Sequence, residues 1–326
     1  MTIRKKKILF VCLLFIITAL VFYIVWDNNR INVVKKDVYI EELDSSLDGF
    51  KILQITDLHE KSFGEDQENL INEINALDYD AIIFTGDMLI RSNSTDYSAF
   101  FKLIEGIHNK ENALFVSGNS DPENYVYNSE GKVEKHKFIK GMEERGVKLL
   151  ESIHTINYGD ARVQFVNFEL SIIGPKIERS LPLETGKLPD NLEYRKELVA
   201  QLNNNLDDNP SSILIALNHY PVVDVKIDYL KNHDYYIFRD YDLIMAGHYH
   251  GGQIRLPFLG VLFVPEPYYE RSGLFPPQNR VKGLWEYDGI KQYVSTGLGS
   301  SDTISFLKFR FFNTPEINLI TLKRKG

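Results

Sequence analysis

Residue types that bind metals follow directly on five short apolar runs of this chain. The runs cover residues 50–56, 81–85, 113–117, 213–217 and 243–246, and the residues that follow them are Asp57 and His59, Asp87, Asn119, His219, and His248 and His250. Carboxylate, amide and imidazole ligands suit divalent cations such as Mn, Fe or Zn. Cys12 is the single cysteine and lies in an apolar segment, so a thiolate site is excluded. Because five runs repeat the pattern, the sequence predicts a site for two divalent metal ions.

Each of these runs has the form of a strand that is buried on both faces. In open α/β sheets, functional sites lie at the carboxyl ends of such strands. Glycines precede three of the residues, and we expect them to let the backbone turn sharply at the strand ends: Gly86, Gly118 and Gly247. The other histidines lack such a setting and are predicted to be structural or surface residues: His108, His136, His154 and His233.

Amphipathic helices separate the early strands, and further strand-like segments cluster later in the chain. Helices are predicted over 66–77, 97–107, 135–145 and 191–206. Strands are predicted at 38–43, within 147–173, and in the tail at 283–287, 292–296 and 317–322. In a chain of 326 residues, this order predicts an α/β fold, a four-layer α/β/β/α sandwich of two packed mixed sheets. Residues 256–280 are predicted to form a loop near the site, because they follow His250.

The amino terminus has the pattern of a membrane anchor. Four basic residues at positions 4–7 precede an apolar stretch over 8–26, which is long enough for the roughly 17–25 residues that cross a bilayer. A cleaved signal peptide, the alternative, has a shorter apolar region and a small-residue cleavage site, and neither is evident. The charge pattern predicts a single-pass helix in the cell membrane with the following domain extracytoplasmic, although Arg30, Lys35 and Lys36 weaken the asymmetry. The predicted divisions are an anchor over 1–26, a polar linker over 27–37 and one domain over 38–326.

The chain after residue 26 is acidic. It carries 33 basic and 45 acidic residues, a net charge of −12, because four of the 37 basic residues and no acidic residue lie in 1–26. Such a domain is a poor general binder of phosphate backbones or anionic lipid surfaces. The balance therefore argues against nucleic acid as a partner.

The ordered motifs resemble those of the calcineurin-like metallophosphoesterase superfamily. They are Asp57-Leu58-His59, Gly86-Asp87, Gly118-Asn119-Ser120-Asp121, Asn218-His219 and the segment 247–252, Gly-His-Tyr-His-Gly-Gly. The tail segments 294–299 and 310–316 are similar to the membrane-anchored bacterial YkuE-type branch, which also resembles UDP-diacylglucosamine hydrolases. The resemblance covers residues 38–323, and the complete set is far more specific than any one motif.

The resemblance implies a ligand set for each metal. One metal would be bound by Asp57, His59, Asp87 and His250, and the other by Asp87, Asn119, His219 and His248, with Asp87 bridging. It implies a membrane-anchored, metal-dependent phosphohydrolase that cleaves a phosphodiester or pyrophosphate bond with a metal-bridged water. The expected partner is a phosphate-ester substrate, and a lipid-linked molecule near the anchor would be one such substrate. The alternative is a catalytically weak binding scaffold of the same fold, and the seven intact ligand positions favour the enzyme.

One position departs from the family pattern. The family has a histidine where this chain has Ser120, and that histidine is held to protonate the leaving oxygen. UDP-diacylglucosamine hydrolases also lack it, so the departure does not imply an inactive site. The catalytic candidates are therefore Asn119, Ser120 and Asp121, with the proton donor left open and a purely structural role for Asp121 as the alternative. A serine hydroxyl does not readily supply a proton, so we expect a preference for leaving groups that are stable anions.

Overall fold

The computed structural model describes residues 3–174, 187, 189, 191–207, 209, 211–302 and 307–325. The helices are α1 (Ile3–Asn28), α2 (Glu68–Asn75), α3 (Ser98–Gly106), α4 (Lys137–Glu143), α5 (Phe168–Ser171), α6 (Leu192–Asn205) and α7 (Asp224–Lys231). The strands are β1 (Asn32–Ile40), β2 (Lys51–Ile55), β3 (Ala81–Phe84), β4 (Ala113–Phe115), β5 (Tyr125–Tyr127), β6 (Val133–Lys135), β7 (Lys148–Leu149), β8 (Ile153–Tyr158), β9 (Ala161–Asn167), β10 (Ser212–Leu217), β11 (Leu243–Ala246), β12 (Arg255–Leu256), β13 (Gly260–Val261), β14 (Gly283–Tyr287), β15 (Ile290–Val294) and β16 (Glu316–Arg324).

Two six-stranded mixed sheets organise the chain. The first has the order β1-β16-β2-β3-β4-β7, in which the β16–β2 pair is antiparallel and the other four pairs are parallel. The second has the order β14-β15-β11-β10-β9-β8, with three central parallel pairs and an antiparallel pair at each edge. Two small hairpins, β5–β6 and β12–β13, lie outside these sheets.

Apolar clusters on both faces of each sheet create four layers. Side chains such as Ile83 and Met245 pack the inner faces of the two sheets together. Phe100 of α3 belongs to the cluster that covers the outer face of the first sheet. Leu198 of α6 and Ile227 of α7 belong to the cluster on the outer face of the second. Burial on both faces explains why the central strands are continuous apolar runs, and the predicted α/β/β/α sandwich is confirmed.

The four predicted helices correspond to α2, α3, α4 and α6, with ends that differ by one or two residues. In α3, Phe100, Leu103 and Ile104 lie at the spacing of one helical face, and all three are fully buried. The α4 helix begins later than predicted because Lys135 ends β6, and His136 caps the helix by accepting from Phe138 N at 3.2 Å. The short helices α5 and α7 and the β5–β6 hairpin were not predicted from the sequence.

The prediction of a polar linker over residues 27–37 needs to be corrected. Strand β1 begins at Asn32 and pairs in parallel with β16 through Ile40, so residues 32–37 belong to the first sheet. The polar composition reflects the position of β1 at the sheet edge, where exposed lysines are well tolerated. Asp27 is fully buried and accepts a hydrogen bond from Thr314 Oγ1 at 2.7 Å. The end of α1 is therefore attached directly to the folded domain.

Helix α1 has the length and composition of a membrane span. It contains 26 residues, and the apolar window within it is not buried against the domain. A core helix of a soluble protein would be covered by other elements, and α1 is not. This apolar helix could anchor the protein in a membrane.

Candidate metal centre

The loops that follow β2, β3, β4, β10 and β11 meet at one end of the sandwich. Within each sheet these strands are parallel, so their carboxyl ends lie on the same edge. Gln54 joins the sheets there, because its Nε2 donates to Thr85 Oγ1 and to Ala246 O, each at 2.9 Å. All seven predicted ligand side chains lie on these loops, and six of them are buried while Asn119 is exposed.

Asp57, His59 and His250 form one group whose ligand atoms lie within 4.8 Å of one another. The Nε2 atoms of His59 and His250 are 3.1 Å apart. Asp57 Oδ1 lies 3.5 Å from His250 Nε2 and 4.0 Å from His59 Nε2. The other oxygen of Asp57 is held by Thr56 Oγ1 at 2.9 Å and by His248 N at 3.1 Å. One oxygen of Asp57 is thus anchored while the other faces the two imidazoles.

Asp87, His219 and His248 form the second group, again with ligand atoms within 4.8 Å. His219 Nε2 lies 3.1 Å from His248 Nδ1, 3.2 Å from Asn119 Oδ1 and 3.4 Å from Asp87 Oδ2. The opposite nitrogen, His219 Nδ1, lies 2.8 Å from Thr85 O. A backbone carbonyl on Nδ1 fixes the ring and leaves Nε2 free to bind a metal.

A single oxygen of Asp87 stands between the two groups. Asp87 Oδ2 is 3.5 Å from His59 Nε2 and 3.4 Å from His219 Nε2. Among the described side chains, Asp57 Oδ1 is buried and has no hydrogen-bond partner, which is unfavourable unless a cation is its partner. The donor set of two carboxylates, one amide and four imidazoles fits two divalent ions. The residues present therefore fit the metals that the sequence predicts.

Five of the seven side chains are carried by a left-handed backbone, which non-glycine residues rarely adopt. The φ angles are +53° for Asp57, +49° for His59, +57° for Asp87, +69° for His248 and +50° for His250. Such conformations each cost on the order of 1–3 kcal/mol and cluster at functional sites. These backbone conformations therefore lower the stability of the fold, and they are kept at the residues that carry the ligand side chains.

The three glycines that precede ligands do not share one role. Gly86 has a φ of +88° and supplies the sharp turn that the sequence predicts. Gly118 and Gly247 do not have positive φ, so the predicted reason is wrong for them. A Cβ at Gly118 would lie 2.2 Å from Asp87 Oδ1, and one at Gly247 would lie 2.2 Å from Thr56 Oγ1. These two glycines are required because another loop approaches their Cα atoms closely.

Burial and the neighbouring carboxylate of Asp87 shift the pKa values of the site residues. Burial lowers the pKa of His248 to about 3 and the pKa of His250 well below its ordinary value. Burial also opposes protonation of His219, but the charge and hydrogen bond of Asp87 outweigh it and raise the pKa of His219 to about 9. Burial raises the pKa of Asp57 to about 7. His248 and His250 are thus neutral imidazoles, the form that binds metals.

The two remaining predicted residues contact Asp87 from different sides. Ser120 N and Oγ donate to Asp87 Oδ1 and Oδ2 at 2.7 and 3.0 Å. Asp121 is fully buried and accepts from the backbone amides of four residues at 2.7–3.1 Å, namely Asp87, Met88, Leu89 and Gly118. Asp121 therefore holds the turns that carry Asp87 and Asn119, which is a structural role.

Arg310, for which no role was predicted, lies behind His250. Its side chain is fully buried, and its guanidinium donates to Gly299 O at 2.6 Å, to Thr296 O at 2.5 Å and to His250 O at 3.4 Å. Asn313 Nδ2 also donates to His250 O, at 2.6 Å. Burial lowers the pKa of Arg310 to about 10, so it stays charged at neutral pH. The signal in the sequence was the tail segment 310–316, which carries both residues but lies 60 residues beyond His250.

The end of helix α1 reaches this support. Asn28 Nδ2 donates to Arg310 O and Asn28 Oδ1 accepts from Arg310 N, both at 2.7 Å. Lys61 Nζ, two residues after His59, donates to Asn28 O. One residue, Arg310, thus separates the last turn of α1 from a proposed ligand.

The fold and the site together define a class of protein. The model of the calcineurin-like phosphoesterase family matches residues 50–252, which include all seven predicted ligands. The chain belongs to that family, as its motifs indicate. It is a metal-dependent phosphoesterase, a hydrolase with two candidate metal-binding groups.

Individual relatives are similar over most of the chain. The metallophosphoesterase YkuE of Bacillus subtilis is 29% identical over 283 residues, which is 85% of this chain and 80% of YkuE. The UDP-2,3-diacylglucosamine pyrophosphatase LpxG of Chlamydia trachomatis is 25% identical over 330 residues, 94% of each chain. Among solved structures, the phosphopantetheinyl hydrolase PptH of Mycobacterium tuberculosis aligns with a TM-score of 0.40 and 15% identity, over 77% of this chain and 91% of PptH.

Proposed function

We propose that this protein is a membrane-anchored phosphohydrolase that cleaves a pyrophosphate or phosphodiester bond of a lipid-linked substrate. In this proposal Asp57, His59 and His250 would hold one divalent metal, and His219, His248 and Asn119 would hold the other. Asp87 would belong to both sets of ligands. The observation that carries the proposal is the single oxygen Asp87 Oδ2, which lies 3.4–3.5 Å from one imidazole of each group.

When bound, the two cations supply a water of lowered pKa and neutralise charge on the phosphoryl oxygens. Neighbouring residues of this chain hold the ligand side chains and their loops in place. Thr56 and His248 N fix Asp57, Thr85 O fixes His219, and Asp121 fixes the loops of Asp87 and Asn119. The donor set suits Mn, Fe and Zn alike.

Two observations support a lipid-linked substrate. LpxG, which is similar over 94% of the chain, is a pyrophosphatase of a diacylated nucleotide sugar. The contacts of Asn28 with Arg310 place the end of α1, the proposed anchor over 1–26, beside the metal centre. The basic residues at positions 4–7 favour the topology in which the domain lies outside the cytoplasmic membrane.

The chemistry of the leaving group follows from Ser120. Its hydroxyl donates to Asp87, so the hydrogen bond that it makes is directed at the bridging carboxylate. The attacking water loses a proton to solvent and adds to phosphorus, the bond from phosphorus to the leaving oxygen breaks, and that oxygen departs as an anion without a proton from residue 120. A phosphate within a pyrophosphate leaves readily in this way, whereas an alkoxide does not.

The test is a series of phosphodiesters of graded leaving-group pKa, hydrolysed by the full-length protein with Mn²⁺ where chemistry limits the rate. We expect the rate to fall steeply as the leaving-group pKa rises. In Ser120→His the fall should be shallower, since a positioned acid contributes about 10²–10⁴-fold. Ser129→His, which changes an exposed serine in the β5–β6 turn, is the matched control and should keep the steep dependence. A shallow dependence in the wild type would mean that another acid is present.

The topology needs its own test. Protease added to intact cells should digest the domain and leave the anchor protected in the membrane. Full protection of the domain, or a mature protein that starts within residues 8–26, would contradict the proposed arrangement. A protein that binds two metals but hydrolyses no phosphodiester or pyrophosphate would instead support the scaffold alternative.

A further inference from the structure

The exposed phenylalanine and leucine side chains of the domain are not scattered. In the described part of the chain outside α1, every exposed phenylalanine or leucine lies in the segment 258–275 or at Phe312: Phe258, Leu259, Phe263, Leu274, Phe275 and Phe312. Elsewhere in that part the exposed large apolar residues are tyrosines and Val225. Isolated exposed apolar residues are ordinary, but a concentration in one region marks an interaction surface.

The Phe311–Phe312 turn lies alongside the anchor helix and points towards its apolar part. The residues on both sides of the turn bind the helix end, since Arg310 pairs with Asn28 and Thr314 Oγ1 donates to Asp27. Between them, the ring of Phe312 contacts Tyr23 with centroids 5.1 Å apart. Tyr23 lies five residues before Asn28, about 7.5 Å towards the apolar part of the helix. Phe312 therefore lies level with Tyr23 along the axis of α1.

The β12–β13 hairpin continues in the same direction. Ile254 forms a parallel bridge with Phe311, and Arg255 N donates to Phe311 O at 2.9 Å. Because the pairing is parallel, the chain from 254 to 256 runs the way that 310 to 312 runs, towards Tyr23. The hairpin turns at residues 257–259, on the order of 10 Å beyond Ile254. Phe258 and Leu259, both strongly exposed, are at its tip.

We propose that the β12–β13 hairpin tip and Phe312 form a second membrane contact, inserted into the interface of the bilayer that α1 spans. The occupant is a lipid surface rather than a protein because the patch is continuous with the anchor through Phe312 and Tyr23. A depth of 5–10 Å is what interfacial apolar side chains reach. The contact is apolar, which is consistent with an acidic domain that does not adhere to anionic lipid by charge.

This contact would fix the orientation of the metal centre. Gln253 and Arg255 flank the parallel bridge, and the hairpin begins at Arg255, five residues after His250. The chain that follows its return strand reaches Pro265, whose carbonyl oxygen lies 3.4 Å from His248 Nε2. With α1 and the hairpin tip both held in the bilayer, the domain has two attachments and the site mouth keeps a constant height above the lipid headgroups.

The test uses single cysteines labelled with a small fluorophore in full-length protein with Cys12→Ser, reconstituted in phosphatidylcholine–phosphatidylglycerol vesicles. Nitroxide groups on the upper acyl chains of the lipid quench a label that lies at that depth. We expect the label at Phe258→Cys to be quenched at least about threefold more than the label at Tyr39→Cys. Tyr39 is the matched control, an exposed aromatic residue on β1 that lies seven residues along the strand from Asn32.

Further positions separate the possible failures. Phe263→Cys should show intermediate quenching, since it follows the hairpin on the return strand, and Leu259→Cys replaces Phe258→Cys if that variant does not fold. Leu14→Cys reports whether α1 is embedded, on which the inference depends. Quenching at Leu14 but not at Phe258 or Leu259 overturns the second contact alone. No quenching at Leu14 overturns the proposed anchor and with it this inference, while phosphodiester hydrolysis by the same samples judges the proposed activity independently.

Discussion

The two halves of the metal centre are supported in different ways. The half with Asp87, His219 and His248 rests on Asp121, a buried carboxylate that collects four backbone amides from the adjoining turns. The half with Asp57, His59 and His250 is backed by Arg310, a buried guanidinium that binds three backbone carbonyls. The first support comes from the same loop as Asn119. The second comes from the tail of the chain and is bonded to the end of α1.

This difference shows that one half is built locally and the other is built by tertiary contacts. Damage to Asp121 should act through the turns of the first sheet and lower stability. Damage to Arg310 should act on the position of His250, and its effect should depend on the contacts with the end of α1. Substitutions at these residues separate the two effects, and a substitution at Asp87, which contacts both halves, affects both.

Asp87→Asn should produce the largest loss. The bridging oxygen contacts both groups, so the change removes a charge that both metals share. We expect activity to fall by more than about 100-fold, beyond the range for residues that only support ligands. Asp78→Asn is the control, because Asp78 is exposed and its salt bridge with Lys51 is on the surface. Near-normal turnover with two metals bound in Asp87→Asn would contradict the bridging role.

Asp121→Asn should chiefly lower stability. The amide keeps one acceptor oxygen but turns an NH₂ group towards buried backbone donors, which leaves at least one of them unsatisfied at a cost of about 1–3 kcal/mol. Chemical unfolding of the metal-free protein measures this loss. Asp96→Asn is matched to it, since Asp96 accepts from Ser98 N at an exposed turn, and should change stability little. Equal effects of the two substitutions would argue against the support role of Asp121.

Arg310→Lys should weaken one metal more than the other. Lysine keeps the charge but lacks the planar fork that reaches three carbonyls. We expect an affinity loss of about 10–100-fold for the metal in the His250 half and a smaller loss in the other half. Calorimetric titration of Mn²⁺ resolves two affinities where they differ. Arg280→Lys, at a partly exposed pair with Asp224, is the control, and equal weakening of both metals would show that Arg310 acts through general stability.

Asn28→Ala should produce the smallest effect, in the same direction as Arg310→Lys. It removes two hydrogen bonds to the backbone of Arg310, each with a net contribution of about 0.5–1.5 kcal/mol, and only part of that reaches His250. We expect a loss of a few-fold in the affinity for the metal in the His250 half. The neighbouring Asn29→Ala loses a hydrogen bond to Val25 O of α1 and should leave both affinities unchanged. If the two variants behave alike, helix α1 does not influence the site.

The same contrast explains what the sequence could predict. The ligands, the central strands and the layers follow from local patterns, because buried strands are apolar runs and their ends carry the functional residues. Arg310 and the pairing of β1 with β16 could not be found in this way, since each depends on contacts between residues more than 50 positions apart. The β1 strand was taken for a linker because an edge strand exposes charged residues as a linker does.

The roles of Gly118 and Gly247 were missed for a related reason. A glycine before a ligand suggests a positive φ, but these two glycines are needed because Asp87 and Thr56 approach them from other loops. Conversely, the left-handed backbone at residues such as His59 and His248 has no sequence signature, because aspartate and histidine are also common in ordinary turns.

The proposed hydrolysis requires two metals, with Asp87 as a ligand of both. Its most direct test is to titrate Mn²⁺ into metal-free, full-length protein while the bound metal per chain and the rate of aryl phosphodiester hydrolysis are measured on the same samples. We expect saturation at two metals per chain, with activity appearing as the second metal binds. Full activity with one metal or none, or saturation at a single metal, would contradict it.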